Sequence, residues 1–542
     1  MIRTMQPSDV SWFRNTVLYQ IYPRSFFDAT GDGVGDLRGI TERLHYLAGE
    51  DDSLGVGAIW LSPFYPSPMA DFGYDVTDYT GVDPLFGTLE DFKRLLDEAH
   101  LRGLKVIIDF IPNHTSDQHP WFQESKKDKQ SPRRNWYIWR DGKPEGGPPN
   151  NWLSVFGGSA WEYDEETGQY YLHSFLKEQP DLNWENAGVR EAMKHALQFW
   201  LNLGVDGFRV DAVYWLSKDP EFRDDPPKDN VSPEQKPYDS LVHAHSKEGP
   251  KLYEYLRFIT NVVKAYRDRF VIVEASSPLE GGKRTYVELY ENTDPTICAP
   301  FNFDGLFTPW KASEFKKMLH DFQKHMHADY VPVYSFGNHD QPRIRSRINS
   351  SAARALAVIQ LTLPGMPVIY YGDEIGMENG DIGPEDIHDP SEILVPGLGL
   401  GRDPERTPLQ WDDSNYAGFS QVKPWLPVHE AYVQTNIARE QGDPTSYLSL
   451  YKRLILFRKH SEALRYGSYN PIEIHEDVLC YERKVGDNIV VVAVNFSDQD
   501  LTIEHESLYG TFALSSYADT TVGPVYGSVR LRGNEAVILR VD

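Results

Sequence analysis

Leu104-Lys105-Val106-Ile107-Ile108-Asp109-Phe110-Ile111 is a mostly apolar run that reads as a strand. A helix leads straight into it. Thr88 caps that helix with Asp91 three residues on, Leu89, Phe92, Leu95, Leu96 and Ala99 recur at helical spacing, and Gly103 ends it. Upstream, Val56-Gly57-Ala58-Ile59-Trp60-Leu61-Ser62-Pro63 is another apolar run, so the three segments read strand, helix, strand. Working outward, Val17 to Pro23 reads as the first strand. A helix near Val189 to Asn202 leads to a strand ending at Asp211, and a helix near Leu252 to Arg269 leads to the strand Phe270 to Glu274. Val331 to Phe336 and Pro367 to Tyr371 are later strands. Strands alternating with helices over this length predict an α/β fold, a (β/α)8 TIM barrel, with its chemistry on the loops after the strand C-termini.

Two stretches break the rhythm. Residues 115–186, rich in Trp, Tyr, Gly and Pro, are too long for a βα connection and predict a small inserted domain after strand three. Residues 372–415 predict a long loop over one end of the barrel. From 468 the helical period disappears. Val478 to Val485 and Ile489 to Phe496 read as strands joined at Gly486-Asp487-Asn488, and Glu535 to Val541 as another. The expected organisation is a barrel of residues 1–114 and 187–467, an insert of 115–186, and a C-terminal antiparallel β domain of 468–542.

The chain has 542 residues and a formal charge of −26, which argues against a nucleic-acid or anionic-membrane partner, because phosphate binding needs a basic face. Its 13 Trp, 31 Tyr and 26 Phe supply aromatic faces suited to an uncharged sugar. Cys298 and Cys480 stand far apart and suit a reduced compartment. Met1 to Ser11 lacks the pattern of a signal peptide, and no run reaches about 18 apolar residues. The expectation is a cytoplasmic monomer or homodimer acting on a small-molecule substrate, with no nucleic acid and no membrane.

Asp28-Ala29-Thr30-Gly31-Asp32-Gly33-Val34-Gly35-Asp36 places oxygen ligands at every second residue, with Gly33 where a calcium loop turns sharply. Asp28, Thr30, Asp32, the carbonyl of Val34 and Asp36 are candidate ligands of Ca2+ or Mg2+. The EF-hand's bidentate glutamate is missing, since Gly39 stands in its place. The same residues also make a capped Asp/Gly turn.

Asp211, Glu274 and Asp340 fall at or just beyond strand ends, which on a barrel converge on one mouth. In Gly207-Phe208-Arg209-Val210-Asp211-Ala212-Val213 the period of two puts Arg209 and Asp211 on one face, where the arginine holds the carboxylate ionised and aimed. An ordinary strand-end ion pair gives the same pattern. Glu274 closes an apolar strand, so desolvation is expected to raise its pKa, whereas Asp211 is expected to stay ionised. That contrast matches the division of labour in retaining glycoside hydrolysis. Glu274 also suits a helix N-terminus. Asn113-His114 and Asn338-His339 add neutral imidazoles that hydrogen-bond to sugar hydroxyls; no His or Cys spacing supports zinc.

Taken together, Asp109 to His114, Gly207 to Val213, Phe270 to Glu274 and Phe336 to Asp340, in this order and with Gln179-Pro180-Asp181-Leu182-Asn183, resemble the α-amylase superfamily, glycoside hydrolase family thirteen. Within it they resemble the α-glucosidase and oligo-1,6-glucosidase group, over nearly the whole chain. The resemblance implies Asp211 as nucleophile, Glu274 as general acid and base, and Asp340 as the third carboxylate that holds the distorted sugar. It implies His114, Arg209 and His339 as hydrogen-bonding partners of the terminal glucose and Tyr74 and Phe156 as its stacking partners. Asp71 and Arg406 resemble the pair that closes the far end of the pocket, and Arg402 lies four residues before Arg406. The Asp28 to Asp36 loop also matches, with Thr30 where asparagine is common.

Alanine after the nucleophile goes with α-1,4 cleavage in relatives and valine with α-1,6, so Ala212 implies a maltose-type preference. The expected activity is a retaining exo-acting α-glucosidase with accompanying transglucosylation. Its rivals are a glucosyl transferase or a relative acting on sucrose or isomaltose and, from another class, a catalytically silent barrel resembling transporter heavy-chain ectodomains.

Overall fold

The computed structural model describes residues 11–229, 231–232, 235–275, 285–327, 330–519 and 523–541. The lead Met1 to Val10 lies outside them, as does Asp542. Eight parallel strands close into a barrel. They are β1 (Leu18–Ile21), β2 (Ala58–Leu61), β3 (Lys105–Phe110), β7 (Gly207–Val210), β8 (Phe270–Val273), β9 (Cys298–Asn302), β10 (Val333–Ser335) and β11 (Met366–Tyr370), in that order round the ring. Strands β4 (Trp139–Arg140), β5 (Trp161–Asp164) and β6 (Gln169–Leu172) form a separate sheet between β3 and β7 in sequence.

The longest described helix of each connection precedes the next strand, and the longest helix after β11 follows it. They are α1 (Leu37–Leu47), α2 (Leu89–Leu101), α3 (Ala187–Leu203), α4 (Leu252–Lys264), α5 (Tyr286–Asn292), α6 (Ala312–Gln323), α7 (Ser350–Thr362) and α8 (Tyr447–His460). Thr88 and Asp91 form the expected reciprocal cap of α2. Gly207 is required where β7 meets β8, because a Cβ there would lie 2.2 Å from the Phe270 carbonyl oxygen.

Strand β9 is the barrel strand that the sequence reading does not place. Pro300, which has no backbone N–H and argues against a central strand, sits in it opposite Val273 of β8. Barrel closure overrides that local signal, since β9 is also paired with β10 through Phe301 and Asn302.

Residues 115–186 carry the β4–β6 sheet over a small core of Ile138, Trp152, Ala160, Trp161 and Leu172. The C-terminal sheet has six antiparallel strands, β12 (Ser468–His475), β13 (Val478–Val485), β14 (Asn488–Asn495), β15 (Leu501–Ser515), β16 (Pro524–Leu531) and β17 (Ala536–Val541). The buried Arg483 fastens it to the barrel by donating to the carbonyls of Thr362, Leu464 and Gly467. No described helix is long and apolar enough to cross a membrane.

Candidate active site

Register places the site. Asp109 of β3 pairs directly with Arg209 of β7, and Arg209 with Ile272 of β8, so the guanidinium lies under the barrel mouth between three strand ends. It is 2% exposed and binds three carboxylates: Asp109 Oδ1 at 2.8 Å, Asp211 Oδ1 at 2.7 Å and Glu274 Oε2 at 3.0 Å. Its plane also lies over the rings of Trp60 and Tyr74, at 5.3 and 5.8 Å. Asp109, which the sequence marks only as the start of a motif, is thus the inner anchor, with Trp60 Nε1 donating to its Oδ2 at 3.2 Å. Burial pushes its carboxyl up to about 6, against the pull of Arg209.

Immediately after Asp211 the chain turns through Ala212 in the left-handed region (φ 48°), and the Ala212 N–H donates to Glu274 Oε2 at 3.0 Å. A non-glycine residue held there stores backbone strain beside the two carboxyls. The Asp211 carboxyl is raised well above the ordinary range: burial comes first, Arg209 opposes it, and the nearby Glu274 and Asp109 add to it. This corrects the expectation that Asp211 beside Arg209 simply stays ionised. Glu274 lies within hydrogen-bonding reach of Asp211 because both are drawn to one guanidinium.

Asp340 has the opposite environment. Burial is outweighed by the guanidinium groups of Arg402 and Arg406, which hold its carboxyl well below the usual range. Arg406 Nη2 donates to Asp340 Oδ1 at 2.9 Å and Arg402 Nη1 to the same oxygen at 3.3 Å. His339 contacts Gln20 Nε2 through Nδ1 (2.8 Å) and the Tyr74 hydroxyl through Nε2 (2.7 Å), and the Tyr74 ring stacks on it at 5.6 Å. Burial lowers His339 to about 3 and His114 to about 4, so both imidazoles are neutral.

Asp71 does not pair with Arg406. Its Oδ1 accepts from Arg402 Nη2 at 2.9 Å, and its Oδ2 from Gln179 Nε2 at 3.1 Å. Arg406 turns inward instead and donates through Nε to the His339 carbonyl at 2.7 Å. Asp389, fully buried, takes Arg402 Nε at 2.6 Å, with the fork of that residue on Asp71 and Asp340, and lies 3.7 Å from Arg406 Nη1. Nothing in the acidic 372–415 stretch distinguishes Asp389 in sequence. Phe156 lies under Arg402, with the guanidinium 5.2 Å from its ring. The segment presenting Asp71 and Tyr74 is itself strained, with Met69 and Phe72 at φ 65° and 48°. The structure therefore brings Asp71, Tyr74, His114, Phe156, Arg209, Asp211, Glu274, His339, Asp340 and Arg406 into one connected set and adds Asp109, Gln179, Asp389 and Arg402.

The Asp28 to Asp36 loop lies apart from this network. Asp28 Oδ1 accepts from Gly31 N (2.6 Å) and the Thr30 hydroxyl (3.2 Å), and Oδ2 from Gly33 N (2.8 Å) and the Ser420 hydroxyl (2.6 Å). Asp36 caps α1 through Gly39 N and also accepts from Ala29 N and Thr30 N. Asp32 accepts from Val34 N at 2.9 Å. The donor set is all oxygen, which suits a hard cation. These hydrogen bonds also make the capped turn without one, and among the described residues no group of three or more His, Cys, Asp or Glu side chains is disposed to hold a metal ion.

A closed parallel barrel carries paired carboxyls on an arginine at its mouth, and sequence comparison assigns the family. The Alpha-amylase catalytic domain matches residues 20–467, and the chain belongs to that family of glycoside hydrolases. It is 40% identical over 514 residues to a probable alpha-glucosidase of Rhizobium meliloti (strain 1021), covering 92% of this chain and 91% of the relative. It is 39% identical over 576 residues to an oligo-1,6-glucosidase of Parageobacillus thermoglucosidasius, covering 98% and 99%. The solved structure of an alpha-glucosyl transfer enzyme, XgtA, superposes with a TM-score of 0.90 at 37% identity, covering 98% of this chain and 100% of that one. The activity is thus that of an α-amylase-family glucosidase or glucosyl transferase.

Proposed function

We propose that the protein is a retaining, exo-acting α-glucosidase that releases glucose from the nonreducing end of short α-1,4-linked glucosides such as maltose. The observation that carries this reading is Arg209, which gathers Asp211 and Glu274 at the barrel mouth, with the Asp71–Arg402 ion pair joined to Asp340 beside them. We read the Asp71–Arg402 pair as the barrier that admits one terminal glucosyl unit and leaves the rest of the substrate outside.

In the first step Asp211 attacks the anomeric carbon while Glu274 gives its proton to the glycosidic oxygen, so the C–O bond breaks as the glucosyl–Asp211 ester forms. In the second, Glu274 takes a proton from water, the water oxygen bonds to the anomeric carbon, and Asp211 leaves as carboxylate. Retaining chemistry works with the carboxyls about 5–5.5 Å apart, so Glu274 turns off Arg209 toward the leaving group when substrate enters. That turn leaves Arg209 paired with Asp211, holding its carboxylate for attack. Asp340, ionised, and the neutral His114 and His339 hold the sugar ring. Tyr74 and Phe156 wall the pocket beside them.

The test is a time course of products from maltose, isomaltose, sucrose, trehalose and maltotriose. Maltose is expected to be cleaved faster than isomaltose, because Ala212 follows the nucleophile, and maltotriose to yield glucose and maltose first. Equal or faster cleavage of isomaltose removes the linkage assignment. Likeness to a glucosyl transfer enzyme favours transfer to sugar acceptors alongside hydrolysis, which added acceptor reveals as new glucosides. The buried, unpaired thiols of Cys298 and Cys480 suit a cytoplasmic site of action.

The oxygen-lined loop at Asp28, Thr30, Asp32, Val34 and Asp36 is read as a structural Ca2+ or Mg2+ site. Binding to the folded state alone raises stability by mass action. Chelation is therefore expected to lower the melting temperature, and Ca2+ or Mg2+ to restore it. An unchanged melting temperature together with no metal in elemental analysis rejects the site.

A further inference from the structure

We propose that Lys218, which does not line the sugar pocket, is a positioning residue for it: its buried ammonium clamps Asn113 and Asp181 together and so holds His114 and Gln179 against the glucosyl unit. The proposal rests on the reading of His114 as a glucosyl-binding group.

Lys218 follows β7 by eight residues, and its side chain is 4% exposed. Its Nζ lies 2.6 Å from Asp181 Oδ2 and donates to Asn113 Oδ1 at 3.1 Å. Asn113 Nδ2 in turn donates to Asp181 Oδ1 at 3.2 Å, so the three side chains form a closed ring. Asn113 and Asp181 are fully buried, and among the described residues Lys218 is the one cation paired with Asp181. Burial pulls the ammonium's pKa down while Asp181 opposes, so the charges are mutually dependent.

The ring joins three segments that no local rule brings together: the loop after β3, the return of the insert into the barrel, and the loop after β7. Backbone bonds tighten the first two, with Leu182 N donating to Asn113 O at 2.8 Å and an isolated bridge pairing His114 with Asp181. The consequence reaches the pocket at two points. Asn113 Nδ2 also lies 3.2 Å from His114 Nδ1. Gln179, two residues before Asp181, places its Nε2 3.2 Å from His114 Nε2 and 3.1 Å from Asp71 Oδ2. Losing the ammonium strands a buried carboxylate and frees the Asn113 amide, so both contacts to His114 lose their fixed geometry.

The experiment is a double-mutant cycle on kcat/KM for maltose with Lys218→Met and His114→Ala. K218M is expected to lower kcat/KM about 10–100-fold, the scale for removing a group that orients a ligand-binding histidine. The loss falls mainly on KM, because contacts made equally in ground and transition states move KM and leave kcat. In the H114A background the same substitution is expected to change kcat/KM less than about threefold, since neighbours in one network are non-additive. Additive losses, or a wild-type K218M, overturn the role of Lys218 while leaving the pocket reading intact. A wild-type-like H114A overturns the pocket reading itself and the proposal with it. If K218M fails to fold, K218M/D181N removes the stranded carboxylate but still lacks the clamp, and the same cycle is run with it.

Discussion

Asp211→Asn is expected to abolish turnover while leaving the protein folded. The substitution keeps the shape of the side chain and removes the oxygen nucleophile, and loss of a nucleophile costs about 10^4–10^6 in kcat. Stability is not expected to fall with it. Asp211 is a crowded group, raised by burial and by the charges of Glu274 and Asp109, so a neutral amide relieves repulsion. Arg209 keeps Asp109 and Glu274 as partners. A melting temperature equal to or above that of the wild type, with activity at background, is the expected pair of results. Wild-type-like kcat in a verified D211N preparation would falsify the assignment of Asp211 as nucleophile.

Arg209→Met is expected to damage both stability and catalysis. Its guanidinium is the shared counter-charge of Asp109, Asp211 and Glu274, and Asp109 is fully buried. Removing one partner of a buried ion pair costs about 3–5 kcal/mol, because the remaining charge is stranded. Here the stranded carboxyls respond by holding protons, which blocks attack by Asp211. Activity is expected to fall by at least about 10^2–10^3, the scale for removing one preorganised electrostatic group. Arg209→Lys restores a charge but not the fork that reaches three partners, so it is expected to recover stability more than activity. Denaturant unfolding and kcat, measured on the two variants together, provide the check. An R209M protein as stable as the wild type contradicts the burial argument.

Local spacing fixes one part of this site and leaves another to the fold. Arg209 beside Asp211 follows from a two-residue period on a strand, a local rule that holds wherever the strand goes. The convergence of Asp211, Glu274 and Asp340 needed only the rule that barrel strands end at one mouth. The proximity of Glu274 to Asp211, and hence the upward push on Asp211, depends on both reaching the same guanidinium. No spacing of 63 residues in sequence expresses that contact.

The arginines show the same limit. Arg402 and Arg406 are four residues apart in an irregular loop, and either is long enough to reach Asp71. Buried Asp389, which no periodicity marks, touches both, taking Arg402 Nε at 2.6 Å, while the His339 carbonyl accepts from Arg406 Nε and Asp71 pairs with Arg402 alone. Strand β9, which the sequence reading leaves unplaced, holds Pro300 opposite Val273, where closure of the ring keeps a residue that has no N–H to give the ladder.

The sequence by itself determined the alternation of strand and helix, the identity of the three carboxylates and the pairing of Arg209 with Asp211, because each is written in short periods and ordered motifs. Only the tertiary structure decided which arginine pairs with Asp71, how Glu274 stands toward Asp211, and that Lys218 bridges Asn113 and Asp181. Those depend on groups up to hundreds of residues apart meeting in a buried, low-dielectric space, where small differences in distance and partner choose among chemically equivalent side chains.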